Sequence, residues 1–560
     1  MRQDERAHGV FVRAYAGVTG VLLAMNMEEQ SCKGLLGFAI EREAPTYKPD
    51  KRHKWLSGLL AFPGQKHNAG DPILSNEGPI QKFRWSDYTV YPGTEYLYTI
   101  HPVYGSPDHL DIRPGPIVKV KTGSIDSGEF RVIFNRAVVS SQAFSREFPA
   151  AADKLQKDMD EAKRAKKGAK KDVSLTPDAY KWLSRGLLEQ IQSFVARAVD
   201  NTWAIDMWIY EYELQSICDA LDAANTRKVN IRVVYHAKPS DSRTKKNAKC
   251  LAPLGKAALR PRVTSKICHD KYIILSKMDG KTRTPVSVLC GSTNYTKNGV
   301  YRQFNVVQVV EDVDTATQYL KMFEFLFAGN NPAKTKKFIT QQNPMNPDSP
   351  LFVGFSPRAG NTDLKEFIAE VSKSRRDVLF CVVFSMDKGV RNSILGKPND
   401  PILRYGISNA PGNIKGYEAD KTRAFTTPAL LPKGIEGWLS EDYRKQKGSI
   451  HIHAKVIVVD FTTDSPVVIS GSHNFSEPAS SGNDENYLII RGNRDVADYF
   501  GCELLRIYDH YRFRFVAKDV YKSQKSKTTG PHLAPDDSWT KPYFDAKELK
   551  MTDRLRFTGS

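Results

Sequence analysis

One ordered set of residues occurs twice in this chain, and no other feature limits its fold as strongly. The first copy reads His269-Asp270-Lys271, then Gly291-Ser292-Thr293-Asn294, then Gln303-Phe304-Asn305. The second reads His453-Ala454-Lys455, then Gly471-Ser472-His473-Asn474, then Asn483-Asp484-Glu485. Both copies step eleven positions from the asparagine to the last residue, 294 to 305 and 474 to 485. A lone H-x-K carries almost no information, but two copies with matched downstream elements imply an internal duplication, with two similar units sharing one chain.

The periodicity around each copy is α/β. Residues 177–200 carry apolar side chains at helical spacing (Leu183, Leu187, Ile191, Phe194, Val195, Val199), and Leu214 to Asn225 is a second helix. Short apolar runs predict strands at Trp203 to Tyr212, Val229 to Tyr235, Ile267 to Leu275, Val286 to Leu289 and Asn305 to Val310. The plan then repeats, with a helix at Asp363 to Lys373 and strands at Asp377 to Ser385, His451 to Val459, Pro466 to Ile469 and Glu485 to Ile490.

The spacing carries chemical meaning. Residues two apart on a strand face the same way, so His269 projects with Lys271 and His453 with Lys455. An imidazole beside a fixed positive charge suits a phosphate. Asp460 stands seven positions after His453, an odd step that turns it to the opposite face and gives it a scaffold role. Ser276 occupies the matching place in the first copy and is tolerable there on the same argument. His451 shares the face of His453, but these two histidines lack the further Cys or carboxylate ligands that a metal site needs. No metal and no cofactor are expected.

These residues resemble the H-x-K-x-x-x-x-D and G-S-x-N motifs of the phospholipase D superfamily, over roughly residues 175–520. The resemblance implies an α/β fold of two pseudo-symmetric phospholipase D-like halves, each a mixed β-sheet flanked by helices, sharing one active site at their interface. It implies that one histidine attacks phosphorus to form a covalent phosphohistidine while the other protonates the leaving oxygen and then activates water. Lys271, Lys455, Asn294 and Asn474, with Ser292 and Ser472, would hold the phosphate oxygens. Each histidine in such enzymes is oriented from the opposite half, which sets Glu485 against His269 and Asn305 against His453. A carboxylate stabilises imidazolium better than an amide does, so His269 is read as nucleophile and His453 as general acid/base.

The rest of the chain frames these halves. Residues 8–125 read as an all-β sandwich, with short apolar runs parted by Gly, Pro and charge. Within it, Tyr88 to Tyr98 resembles the tyrosine corner of fibronectin type III-like domains, with Tyr96 as the corner residue bonding back to backbone. Residues 126–174 are read as a basic linker in which Glu129 to Ser141 can form a final strand; its stretch 153–172 is lysine-rich without an apolar face, a solvated helix or flexible linker, with a nucleic-acid-binding arm as the alternative. The halves are assigned to 175–340 and 341–520, and 521–560 to a loosely ordered basic tail. Seven scattered cysteines without a C-x-x-C pair argue against a disulfide framework and for a reducing, cytoplasmic compartment. No apolar run is long enough for a transmembrane span, and Ala14 to Met25 lacks the pattern of a cleaved signal.

The net charge of +19 favours a polyanionic partner. Nucleic acid is the preferred partner, supported by the basic segments Arg243, Lys245, Lys246, Lys249 and Arg444, Lys445, Lys447. The alternative is phospholipase D or transphosphatidylase action on phospholipid head groups. The run from Ala424 to Pro432 with Trp438 would then enter the membrane interface, or it forms a packed lid. A third reading, a scaffold that binds without catalysis, is opposed by an intact H-x-K in both copies. Because both copies lie in one chain, a monomer suffices.

Overall fold

The computed structural model describes residues 2–67, 71–137, 142–154, 157, 175–264, 266–398, 400–410, 412, 414, 420–428, 451–523 and 532–560. The lysine-rich stretch falls outside them from 158 onward, as do Trp438, Arg444, Lys445, Lys447 and the part of the 424–432 run beyond 428.

The N-terminal region is all-β. Strands β1 (Arg2–Ala7), β2 (Val10–Ala16), β3 (Val21–Asn26) and β8 (Arg84–Asp87) form one antiparallel sheet. A second sheet runs β10 (His109–Ile112), β9 (Glu95–Ser106), β4 (Gly37–Glu43) and β5 (His53–Trp55), with β11 (Ile117–Lys121) also on β9, and β6 (Ser57–Gly58) pairs with β7 (Ile73–Leu74) in a small antiparallel sheet. Alternate residues of β2, β3 and β9 point between the sheets, burying Val12, Leu23, Tyr96, Tyr98 and Ile100 in one core. The Tyr96 hydroxyl accepts a hydrogen bond from the Tyr91 backbone N–H at 2.8 Å.

Two seven-stranded sheets follow, and their strand orders are the same. The first runs β12 (Phe130–Phe134), β18 (Val306–Val310), β17 (Thr282–Gly291), β16 (Lys271–Asp279), β13 (Trp203–Ile209), β14 (Asn230–His236) and β15 (Leu259–Arg262). The second runs β19 (Leu351–Ser356), β25 (Glu485–Arg491), β24 (Val467–Gly471), β23 (Val456–Val459), β20 (Asp377–Val382), β21 (Leu403–Ser408) and β22 (Arg423–Thr426). Each mixes parallel pairs (β13 with β14, β20 with β21) and antiparallel ones (β13 with β16, β20 with β23).

The strands are buried on both faces, which is why they read as unbroken apolar runs. In β16, Tyr272 and Ile274 enter one core while Ile273 and Leu275 enter another. In β23, Val456 and Val458 enter that same first core while Ile457 and Val459 enter a third. The shared core therefore lies between the two sheets, and helices cover their outer faces: Leu187–Ala196 and Gln215–Thr226 on the first, Thr362–Ser372 and Lys388–Leu395 on the second.

Three expectations are corrected. The 126–174 segment is not all linker: Phe130–Phe134 pairs with β18 as the outer strand of the first sheet, as β19 does in the second. Its apolar Val132, Ile133 and Phe134 are all buried, so the strand expected within Glu129 to Ser141 belongs to the first half and not to the linker. Residues 532–560 are not a loose tail. Trp539 and Tyr543 complete the sandwich core, and Trp539 donates to the Leu35 carbonyl at 2.8 Å. Phe557, on the helix Leu549–Thr558, is fully buried among Tyr15, Tyr405 and Phe461. Finally, Cys218 and Cys250 form a disulfide with Cα atoms 5.6 Å apart, because the helices Gln215–Thr226 and Ser242–Leu251 bring together positions 32 residues distant in sequence. Cys32, Cys268, Cys290, Cys381 and Cys502 are buried free thiols. Among the described residues no helix is long and apolar enough to cross a membrane.

Candidate active site

His269 and His453 precede their strands, since β16 starts at Lys271 and β23 at Val456. What fixes them is a short parallel pairing between the two halves. Cys268 bridges to Asp484, and the His269 N–H donates to the Asp484 carbonyl at 2.8 Å. Its mirror is the bridge from Phe304 to Ile452, where the His453 N–H donates to the Phe304 carbonyl at 3.0 Å. One residue beyond each bridge, the side chains meet across the interface.

His269 Nδ1 lies 2.7 Å from Glu485 Oε2, and His453 Nδ1 lies 2.8 Å from Asn305 Oδ1. An ionised carboxylate only accepts, so His269 carries its proton on Nδ1. The Asn305 amide donates from Nδ2 to the Gly299 carbonyl at 2.9 Å, which turns its oxygen to His453 and sets the same tautomer there. Both rings thereby present an unprotonated Nε2. One position further the register continues, as Asn486 Nδ2 donates to Asp270 Oδ1 at 2.7 Å.

The serines and lysines close around these pairs. Ser292 donates to Asn305 Oδ1 at 2.9 Å and Ser472 to Glu485 Oε2 at 2.6 Å, so both hydroxyls face the histidine partners. Each also accepts a backbone N–H, from Val306 at 3.1 Å and Asn486 at 3.0 Å. The Lys271 ammonium donates to the His269 carbonyl, and Lys455 to that of His453 at 2.5 Å. Both lysines are 1% exposed. Asn294 donates to Glu211 at 2.7 Å, and the side-chain oxygens of Asn294 and Asn474 are buried without a hydrogen-bond partner.

Electrostatics follow from burying several charges together. Burial and the neighbouring lysines outweigh Glu485 and push His269 down to about 4. His453, with no carboxylate, falls well below its ordinary value through burial, Lys455, Lys271 and His269. Burial also lowers Lys271 to about 8, against the pull of Glu485 and Glu211, and lowers Lys455 well below the usual lysine range. Burial works to raise Glu485, but His269, His473 and Lys271 bring it down to about 2. Among the described residues, no group of three or more His, Cys, Asp or Glu is placed to hold a metal ion.

Several contributors carry no motif. Asn135, just past β12, accepts the Asn305 N–H at 2.9 Å and ties down the carbonyls of Val300 and Gln303. Arg262 makes a buried two-pronged ion pair with Asp484, at 2.9 and 3.0 Å, and so anchors the residue before Glu485 from the other half. Asn483 donates to Glu485 Oε1 at 3.1 Å. The signal of Asn135 and Arg262 is spatial, whereas Asn483 and Asp484 stand within the third motif element.

Asp460 and Ser276 differ for a visible reason. The chain turns at Asp460, with φ +54°, and its carboxylate accepts from the Ser374 hydroxyl and the N–H groups of Arg375, Arg376 and Asp377. In the first half β16 runs on past Ser276 to Asp279 in a hairpin with β17, so no turn requires such a cap.

A family profile described as "Cardiolipin synthase, PLD-like domain" matches residues 197–327. Among solved structures, phosphatidylserine synthase from Haemophilus influenzae Rd KW20 is similar at 13% identity, over 61% of this chain and 92% of that one, with a TM-score of 0.41. Nuc from Salmonella typhimurium, a phospholipase D family member, is 24% identical over 24% of this chain and 84% of its own, with a TM-score of 0.19. Yeast tyrosyl-DNA phosphodiesterase is 12% identical over 52% of this chain and 84% of its own, with a TM-score of 0.31. No curated protein matches the sequence.

Proposed function

We propose that this chain, which belongs to the phospholipase D superfamily and is a phosphodiesterase-type enzyme, is a nuclease that cleaves DNA or RNA through a covalent phosphohistidine without a metal ion. The observation that carries the reading is the pair of cross-half contacts, His269 with Glu485 and His453 with Asn305, beside two buried lysines.

In the first step Nε2 of His269 attacks phosphorus. The N–P bond forms as the P–O bond to the leaving group breaks, and His453 gives its proton to the departing oxygen. Glu485 stabilises the imidazolium character that His269 gains, and Lys271, Lys455, Asn294 and Asn474 hold the non-bridging oxygens as their charge grows. In the second step His453 takes a proton from water, the new O–P bond forms and the N–P bond breaks. The bound phosphodiester supplies the negative charge that lets His453 hold the proton it must deliver. One chain contains every group needed, so a monomer suffices. The β-sandwich, read as fibronectin type III-like, has no part in the chemistry and positions or packs.

The preference for nucleic acid rests on the net charge of +19 and on Lys245 and Lys249, exposed on the helix Ser242–Leu251. Two neighbours on that helix contribute less, since Arg243 is paired with Glu211 and Asp241 and Lys246 with Glu213. The test is incubation with labelled single- and double-stranded DNA, RNA and phosphatidylcholine, with and without EDTA. Chelator-resistant cleavage of nucleic acid is the expected result. Release of lipid head groups alone would assign the enzyme to phospholipids, and no cleavage of either would reject both substrates.

A further inference from the structure

We propose that Glu211, which belongs to neither motif, is a positioning residue that fixes the Asn294 amide for a phosphate oxygen. The inference rests on the phosphodiesterase reading above and assigns a group through which that site grips its anion.

The strand pairing brings Glu211 there. Ile209, the last residue of β13, stands opposite Lys271, so the chain beyond it runs alongside His269. The backbone is then pinned to the first G-S-x-N segment. Tyr212 bridges to Tyr295, the Tyr295 N–H donates to the Glu211 carbonyl at 2.9 Å, and the Glu213 N–H donates to the Tyr295 carbonyl at 3.0 Å. From this position Glu211 Oε2 accepts from Asn294 Nδ2 at 2.7 Å.

A carboxylate accepts hydrogen bonds and does not donate, so this contact admits one orientation of the amide. One Nδ2 hydrogen is used by Glu211 and the second is left for a ligand. Asn294 is only 6% exposed, and its Oδ1 is buried without a partner. An amide free to turn would exchange that unmet acceptor for a better arrangement, and Glu211 prevents it. Glu211 is itself held on the other side. Its Oε1 meets the Arg243 guanidinium, which also pairs with Asp241 at 3.0 Å and lies 5.3 Å from the centre of the Tyr210 ring. That ring is 5.1 Å from His269.

Among the described residues of the second half, no carboxylate takes the corresponding place. Cys381 stands opposite Val456, so one further step sets Val382 against Lys455, as Ile209 is set against Lys271. The residue corresponding to Glu211 is then Phe384, a phenyl ring that accepts no such bond. The two asparagines of the repeated motif are therefore held unequally.

The experiment measures binding of inorganic phosphate to the full chain by titration calorimetry, together with kcat and KM for bis(4-nitrophenyl) phosphate. The proteins are wild type, Glu211→Ala, Glu211→Gln, Asn294→Ala and the Glu211→Ala/Asn294→Ala pair. Losing an orienting bond to a charged group is expected to raise the phosphate Kd and KM about tenfold in Glu211→Ala. Glu211→Gln, which keeps an acceptor, should recover part of that loss. In the Asn294→Ala background, Glu211→Ala should change phosphate affinity less than twofold, because its route of action is gone. An unchanged Kd in both Glu211 variants, or the same loss with and without Asn294, overturns the proposal. If Glu211→Ala does not fold, Glu211→Gln carries the test in both backgrounds. Wild-type protein that binds no phosphate would instead reject the phosphodiesterase reading itself.

Discussion

His269 and Glu485 are 216 positions apart in the chain, and Nδ1 of one lies 2.7 Å from Oε2 of the other. Their counterparts, His453 and Asn305, meet at 2.8 Å across the same interface. The contacts match in place and differ in charge, since one histidine faces a carboxylate and the other an amide. The unequal roles proposed for the two histidines rest on that difference.

Trapping distinguishes those roles. With His453 replaced by Asn, attack by His269 on a substrate with a good leaving group still forms the phosphoenzyme, and its hydrolysis slows. We expect a covalent adduct on His269 by peptide mass spectrometry, with turnover reduced roughly 10²–10⁴-fold. His269→Ala should give no adduct. An adduct found on His453 would reverse the assignment.

Glu485→Gln keeps the shape of the contact and removes the charge that stabilises imidazolium. Turnover at pH 7 should fall roughly 10³–10⁴-fold, by analogy with the acidic member of a catalytic triad, while the thermal midpoint changes little. A loss below about tenfold would mean that the carboxylate only packs against the ring.

Phosphate binding should draw protons from the buffer. Burial and two lysines push His453 well down, and burial brings Lys271 to about 8. An anion between them favours the protonated forms, so both values rise on binding and protons are taken up near neutral pH. Calorimetric titration in buffers of different ionisation enthalpy measures the number. Proton release would contradict this expectation. On the same sign, kcat/KM should decline above about pH 8 as Lys271 in the free enzyme loses its charge.

The two sheets should respond differently to loss of the residue seven positions after the motif histidine. Asp460→Ala strips the acceptor from three backbone N–H groups and a hydroxyl, at a cost of roughly 2–4 kcal/mol. The Ser276 hydroxyl has no hydrogen-bond partner, so Ser276→Ala should be near neutral. Thermal or urea unfolding measures both, and equal effects would refute the distinction.

Phe557→Ala should destabilise by roughly 3–5 kcal/mol, because it opens a cavity between the sandwich and the second half. A change below about 1 kcal/mol in urea unfolding would show that the helix Leu549–Thr558 merely rests on the surface.

The duplicated motifs made the α/β halves legible, because strands buried on both faces leave apolar runs that end at the chemistry-bearing residues. What stayed hidden was whatever depends on approach between distant segments. Asn135, Arg262 and Glu211 each act on a motif residue, but none has a spacing that points to it. The strand Phe130–Phe134 was legible as an apolar run but its place in the first sheet was not, and the 532–560 segment was hidden by a polar composition in which Trp539, Tyr543 and Phe557 are few. Cys218 and Cys250 show the same limit, since only the packing of two helices makes them neighbours.

The two parallel bridges, Cys268 to Asp484 and Phe304 to Ile452, have a consequence for how this molecule matures. Each is a single rung, useless to a half that lacks its mate, so neither histidine is aimed until both sheets exist and have docked. A fragment released by proteolysis, or a chain still emerging from the ribosome, carries the motif residues without a working arrangement of them. On the proposed function, the chemistry is expected to be silent in every unfinished form of the molecule.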